Sequence, residues 1–356
     1  MVDNFKLLLY GEEPLQGSGI WCYLQALQSL GVTHKSISCE LGLKKYQNNY
    51  FFKAVRKLNG GRLLANDRLK HARLVADIII SYLPDLLVVS KGLYLDDDFI
   101  IRIKEYGIKV FIFNHDDFFS LNKNNVSIYQ NRAIPHYDHI FVTRLINVEE
   151  VKKLNQNVSF FPFSYLPSFH KRYDISDLDT SKYQSDVLFV GTYERDRARL
   201  LEFLVDNFKL NLAVYGPGWH RLGKTSNLRN YIAGKGLWGE EMAKAIQLSK
   251  VCIGFLRKEN RDQYTQRTFE ILACGGALLA EKTDFHLTLF EGKEICLLFD
   301  PTDPKHFLMQ LLLLLKDEKL REKIRCNGIQ WIQNSNYTYE SRVRQLIEKF
   351  NELRNT

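Results

Sequence analysis

Arg267 and Glu270 stand three residues apart in the segment QRTFEILACGGALLAEKT (266–283), ahead of a small-residue turn and a short apolar strand. On a helix, positions i and i+3 share a face, so a guanidinium and a carboxylate would emerge together near the helix N-terminus. Such a pair can neutralise itself as a surface ion pair, or it can hold a ligand. In the second case the arginine fork grips a diphosphate and the carboxylate accepts hydrogen bonds from ribose hydroxyls. Thr265 is placed to cap this helix, whose free N–H groups would add positive potential for an anion. Asp262 lies upstream in the loop NRDQYTQRT, with seven residues between it and Glu270. It can hold a hydroxyl-bearing group beyond the diphosphate, or sit in water as an ordinary loop aspartate.

Five further places carry usable groups. DVLFVGTYERDRARLLEFL (186–204) has the pattern strand, glycine loop, helix. There Gly191, Thr192 and Tyr193 would present backbone N–H groups, with Arg195 and Arg197 adding charge suited to a phosphate. VYGPGWHR (214–221) ends a strand in Gly216 and Gly218, and Leu237 with Trp238 precedes the next helical pattern, so a nucleobase could be met at either place. KVFIFNHDDFF (109–119) ends a strand in His115, Asp116 and Asp117, groups able to orient an acceptor hydroxyl or take its proton, or to cap a helix. Gly17, Ser18 and Gly19 form a small loop before the first helix, able to approach a diphosphate or an acceptor closely or to be a plain turn.

The elements that must position these groups are short apolar strands alternating with helices. FKLLLY, LLVVS, KVFIF, HIFVT, DVLFVG, LNLAVYG, KVCIGF, GALLAE and ICLLF are doubly apolar runs, as strands of covered parallel sheets are. Ile20, Tyr23, Leu24, Leu27 and Leu30 recur at helical spacing, and so do Leu200, Leu201, Leu204 and Val205. The fold class is therefore α/β. The proline-containing, aperiodic stretch 160–185 suggests a linker. The expected domains are 1–165, a linker at 166–184, 185–335, and a C-terminal helix over 336–356.

At 356 residues and 45% hydrophobic content the chain suits two domains better than one core. The net charge of +8 favours an anionic partner without choosing among nucleotide, nucleic acid and lipid. Six scattered cysteines, with no Cys/His cluster, indicate neither a zinc site nor a disulfide framework. No signal segment or spanning-length apolar run is evident, so a cytoplasmic protein is expected. Leu308–Leu315 is a candidate buried helix, and Asp96, Asp97 and Asp98 look like an N-cap cluster rather than a metal-binding loop.

The motifs PDLLVVSKGLYL, KVFIFNHDD, YDHIFVTR, FVGTYERDR, YGPGW, RTFEILACGGALL, FEGKEI and YTYESRVRQLI, in that order, resemble the spore maturation protein CgeB family of GT-B glycosyltransferases. The resemblance covers most of the chain from about Asp85 onward. It implies two Rossmann-like domains with parallel sheets facing a central cleft, the sugar nucleotide held by the second and the acceptor by the first. Gly191, Thr192, Tyr193, Arg197, Gly216, Leu237, Trp238, Arg267, Thr268 and Glu270 then form the donor set. His115, Asp116 and Asp262 are the catalytic candidates, and Gly17, Ser18 and Gly19 the acceptor or diphosphate loop. In related retaining enzymes an acidic-x7-acidic pair puts its second member on the donor ribose and its first beside the sugar. Those positions are Glu270 and Asp262, the latter an Asp where the pattern has Glu.

The expectation is a metal-independent, cofactor-free, retaining glycosyltransferase that moves a sugar from a UDP-sugar to a hydroxyl. The acceptor is left open among glycan, protein, small molecule and nucleic acid, with peripheral membrane contact possible. Two alternatives stand beside it. One is a nucleic-acid-binding protein using Lys44, Lys45, Lys53, Arg56, Lys57 and Arg62; the other is a sugar-nucleotide sensor that does not turn its ligand over.

Overall fold

The computed structural model describes residues 5–58, 62–120 and 126–355, apart from the side chains of Gln47, Arg56 and Lys57. The chain forms two compact units. The first comprises Met1–Phe163, Lys258–Asp262 and Tyr339–Thr356; the second comprises Ser164–Arg257 and Gln263–Thr338.

The first unit holds β1 (Lys6–Gly11), β2 (Thr33–Ser38), β3 (Leu86–Ser90), β4 (Lys109–Asn114), β5 (His139–Val142) and β6 (Val158–Phe160). They make one parallel sheet in the order β2-β1-β3-β4-β5-β6. Leu7, Leu8, Leu9 and Tyr10 point alternately to the two faces and are all buried, because helices cover both sides. Leu8, Val89, Val110 and Ile140 belong to one core, in which a Leu-to-Ala truncation costs ~2–5 kcal/mol.

The second unit holds β7 (Ser185–Val190), β8 (Leu212–Tyr215), β9 (Ile232–Gly234), β10 (Ser249–Gly254), β11 (Leu278–Glu281) and β12 (Cys296–Phe299). Its parallel order is β12-β11-β10-β7-β8-β9, over a core that includes Val187, Val214, Ile253 and Leu279. The leucine-rich run lies on the helix Pro304–Lys316, with Leu311 and Leu314 buried.

The segment 166–184, expected as a linker, lies in the second unit and carries a helix, Asp177–Tyr183. Ser176 Oγ accepts from the Asp179 N–H at 3.1 Å, and the Asp179 carboxylate accepts from the Ser176 N–H at 3.0 Å. This reciprocal cap offsets a weak apolar pattern, and Lys244 holds Asp179 at 3.1 Å. The helix Tyr339–Arg354 belongs to the first unit. There Tyr339 packs edge-on against Tyr23 with centroids 4.8 Å apart, and Phe350 meets Phe5 at 4.9 Å.

Candidate functional site

In the second sheet β7 and β10 are neighbours from which the chain order runs outward in opposite directions. Loops leaving such a switch point diverge, and the crevice they leave accepts ligands beyond the carboxyl strand ends. The loop after β7 holds Gly191, Thr192 and Tyr193, and the loop after β10 leads to the helix Gln266–Ala273. The donor residues expected from the sequence lie mainly here and in the loops after β8 and β9.

The β7 loop is braced from its neighbour. Trp219 Nε1 donates to the Gly191 carbonyl at 3.0 Å and the Tyr193 N–H to Pro217 O at 2.9 Å. Arg221 Nη2 reaches Tyr193 O at 3.2 Å. Gly216 has φ +149°, and a Cβ there would lie 1.9 Å from Gly191 O, so only glycine lets the two loops close on each other. Arg197 is buried under the loop and donates to Thr192 O at 2.9 Å, which makes it a brace for the loop backbone. Leu237 is buried, whereas Trp238 is 60% exposed.

At the start of the helix Gln266–Ala273, the Thr265 N–H donates to Thr268 Oγ1 at 3.3 Å. Thr268 is itself buried, 3.3 Å from His286 Nε2. His286 Nδ1 donates to Glu281 O at 2.8 Å, so Nε2 is the acceptor for the Thr268 hydroxyl. Burial lowers the His286 pKa to about 4, which keeps the ring neutral. Thr268 therefore fixes the helix start through its side chain.

Arg267 pairs with Glu270 Oε2, touches Met242 Sδ, and keeps 28% of its side chain exposed. Glu270 is buried. Its Oε1 accepts from Gln266 Nε2 at 2.8 Å and lies 3.1 Å from His170 Nε2. His170 Nδ1 accepts the Leu166 N–H at 2.9 Å, which places the ring proton on Nε2, facing Glu270. Burial alone would raise the Glu270 pKa; Arg267, His170 and Gln266 outweigh it and bring the group down to about 2. The result is a fixed carboxylate beside a partly exposed arginine, near a helix N-terminus. His170 lies in the stretch read as linker, and only the fold reveals its partner.

In the first unit β1 and β3 flank the equivalent switch point. Gly17 has φ +81°, and Ser18 Oγ caps the helix Gly19–Ser29 by accepting from the Trp21 N–H at 3.2 Å. A Cβ on Gly19 would come within 3.8 Å of the His115 ring and 3.9 Å of a Glu12 carboxylate oxygen, so this loop, Glu12 and His115 adjoin. Burial among Phe113, Phe163 and Tyr23 lowers the His115 pKa to about 4.

Asp116 pairs with Lys91 and accepts from Asn260 Nδ2 at 2.9 Å. Burial works to raise its pKa, but Lys91, Asn260 and Arg144 pull it lower. Asp117 is fully buried and takes Arg261 Nε at 2.5 Å and Nη2 at 2.8 Å. Arg144 donates to Asn260 O at 2.6 Å and His115 O at 2.9 Å, and pairs with the Asp262 carboxylate. The His115 backbone carbonyl, Asp116 and Asp262 thus share one network, with Arg144 and Asn260 as its links. Lys91 (φ +62°) and Arg261 (φ +49°) sit in the left-handed region, at a cost of about 1–3 kcal/mol each, and deliver their charges onto Asp116 and Asp117. Lys91 and Arg144 are cations immediately beyond apolar strands, a signal present in VVSK and FVTR.

Asp96 caps the helix Asp97–Lys104 by accepting from the Phe99 N–H at 3.1 Å and pairs with Arg68 at 2.6 Å. Among the described residues, no helix is long and apolar enough to cross a membrane.

Two six-stranded parallel sheets of Rossmann type, each with polar groups gathered beyond its carboxyl strand ends, define the GT-B class of fold. The family described as glycosyl transferase-like matches residues 195–348. Sucrose-phosphate synthase from Thermosynechococcus elongatus is 15% identical, with 98% of this chain and 99% of that chain covered and a TM-score of 0.69. HepE from Anabaena, solved with UDP and glucose, is 10% identical over 98% and 100% of the two chains, with a TM-score of 0.65. A trehalose-6-phosphate synthase studied for glycosyl transfer with retention is 12% identical over 97% and 99%, with a TM-score of 0.65. No curated protein matches this chain.

Proposed function

We propose that the protein is a glycosyltransferase of CgeB-like type that transfers a sugar from a nucleoside diphosphate sugar, preferentially UDP-linked, to a hydroxyl acceptor with retention of configuration. The observation that carries this is the buried Glu270 beside Arg267 at the start of the helix following β10, at the switch point of the second sheet. The glycosyl transferase-like match over the same region supports it, as do fold relatives solved with UDP and glucose.

The chemical problem is negative charge growing on the departing diphosphate. Arg267, the N–H groups of the helix Gln266–Ala273 and the braced backbone of Gly191–Tyr193 supply preorganised positive potential where that charge develops. Glu270, held ionised, accepts from a ribose hydroxyl, and Trp238 offers an exposed face to the base. Arg197 and Thr268 act one step back, holding the loop and the helix start. Asp262, carried with His115 and Asp116 in one network, serves the transferred sugar and the acceptor. No metal ion is required in this scheme.

Thermal melts with UDP, GDP, dTDP and CMP test the pocket, since a ligand that binds only the native state raises the midpoint. UDP should give the largest shift, and UDP-sugar should be slowly hydrolysed in chelator without acceptor. Shifts without hydrolysis would leave a sensor; no shift with any nucleotide would remove the proposal.

A further inference from the structure

The first unit carries a surface helix that the transfer chemistry does not use. Tyr50–Leu58, YFFKAVRKL, turns 100° per residue, which puts Tyr50, Phe51, Ala54, Val55 and Leu58 on one side and Lys53 on the other. Phe52 packs on the small cluster of Leu43, Tyr46, Leu63 and Tyr94, which ties one edge of the helix to the protein. The rest of the apolar side faces out: Tyr50 is 87% exposed, Phe51 67% and Leu58 89%.

The chain segment that carries it has charges of one sign. Residues 44–62 contain Lys44, Lys45, Lys53, Arg56, Lys57 and Arg62 and no Asp or Glu. Lys45 is engaged by Asp67 at 2.6 Å and Lys53 lies over the Tyr50 ring at 5.4 Å, while the side chains of Arg56 and Lys57 lie outside the described residues. Scattered exposed apolar residues need no explanation, but three large ones on a nine-residue helix inside an acid-free run of cations do.

We propose that this helix lies in the interface of an anionic membrane, with Phe51, Leu58 and Tyr50 entering the headgroup boundary and the lysines and arginines meeting lipid phosphates. Charge complementarity selects the occupant. A nucleic acid would satisfy the cations and could stack on Tyr50 or Phe51, but would leave the aliphatic Leu58 in water.

Flotation of the full chain with vesicles of phosphatidylcholine alone, or mixed with phosphatidylglycerol, tests this. Binding should be on the order of tenfold stronger to the anionic vesicles and should weaken with salt. Phe51→Ser with Leu58→Ser should lower it by about tenfold or more while melting temperature and UDP response stay unchanged, which separates this proposal from the donor site. Tyr50→Trp adds a probe whose emission, taken as a difference from the wild type, should shift to the blue on anionic vesicles. Equal or absent binding to both vesicle types, undiminished binding by the double variant, or no blue shift would overturn the proposal. So would capture of a single-stranded oligonucleotide without vesicle binding.

Discussion

His170 donates its Nε2 proton to the Glu270 carboxylate across 3.1 Å, while its Nδ1 accepts the Leu166 amide hydrogen at 2.9 Å. Both side chains are buried, so this contact sets the carboxylate's orientation as well as its charge. His170→Phe should cost about 2–3 kcal/mol, the penalty for leaving a buried charged acceptor short of a donor. A purely structural loss would lower the melting temperature alone. A positioning role should also erode the preference for UDP over its 2′- and 3′-deoxy forms, with partial recovery in His170→Gln; measured nucleotide affinities decide between them.

Arg144 ties Asp262, Asn260 and His115 together. Arg144→Met removes the guanidinium that faces the Asp262 carboxylate, both side chains being 4% exposed, and should destabilise by about 3–5 kcal/mol. Adding Asp262→Leu should restore part of that stability, because the carboxylate that lost its guanidinium is then replaced by an apolar group. Turnover should stay low in the double variant, since Asp262 is proposed to serve the sugar. Recovery of turnover along with stability would reduce Asp262 to a structural residue.

Gly216→Ala drives a methyl group into Gly191 O, 1.9 Å from the ideal Cβ, at a φ of +149°. Backbone cannot yield as a flexible side chain does, so a loss of about 2 kcal/mol or more is expected, together with weaker UDP binding. Gly223→Ala, where nothing lies within 4 Å of the new Cβ, is the control and should change neither melting temperature nor affinity.

Stability should fall with acid well above the usual carboxylate range. Burial holds His115, His139 and His286 at about 4, against an ordinary 6.5. Between those values the unfolded chain binds protons that the folded chain refuses, so their contribution is complete above 6.5 and is lost as pH drops toward 4. Three such groups give a slope of at most about 4 kcal/mol per pH unit. Glu270, lowered to about 2 from 4.5, continues the loss in the same direction at lower pH. Melts from pH 7.5 to 4.5 should show the decline, and His139→Asn should make it shallower; a flat profile above pH 5 would contradict the burial account.

The nine strands legible in the sequence include every interior strand of both sheets, because strands covered on both faces are apolar throughout. The three that escaped, Thr33–Ser38, Val158–Phe160 and Ile232–Gly234, are all sheet edges. Edge strands are short, or half exposed and polar, and THKSIS has no apolar run to detect. The helix Asp177–Tyr183 escaped because its start is set by Ser176 and Asp179 rather than by an apolar stripe.

Site residues divide in the same way. The contact of Arg267 with Glu270 was legible because their spacing is local, and Gly216 was legible as a glycine ending an apolar strand, though not its closure on Gly191. His170, Arg144 and Lys91 act through partners 100, 118 and 25 residues away in sequence, on Glu270, Asp262 and Asp116. Only the folded sheets bring those groups together. The unit boundary shows the same limit: Lys258–Asp262 belongs to the first unit because Arg261 reaches Asp117 and Asn260 reaches Asp116, contacts that no local pattern announces.

On the proposed reading, Arg267 receives the donor diphosphate. The direct measurement is calorimetric titration of the wild type and Arg267→Ala with UDP and with uridine, alongside UDP-sugar turnover. The wild type should prefer UDP to uridine, and the variant should lose about 2–4 kcal/mol of transition-state stabilisation, a turnover deficit of about thirtyfold to a thousandfold. Its melting temperature should fall as well, because Glu270 loses its charged partner, but the fold should be retained, because His170 and Gln266 still hold the carboxylate. Equal UDP affinity and near-normal turnover in Arg267→Ala would contradict the account.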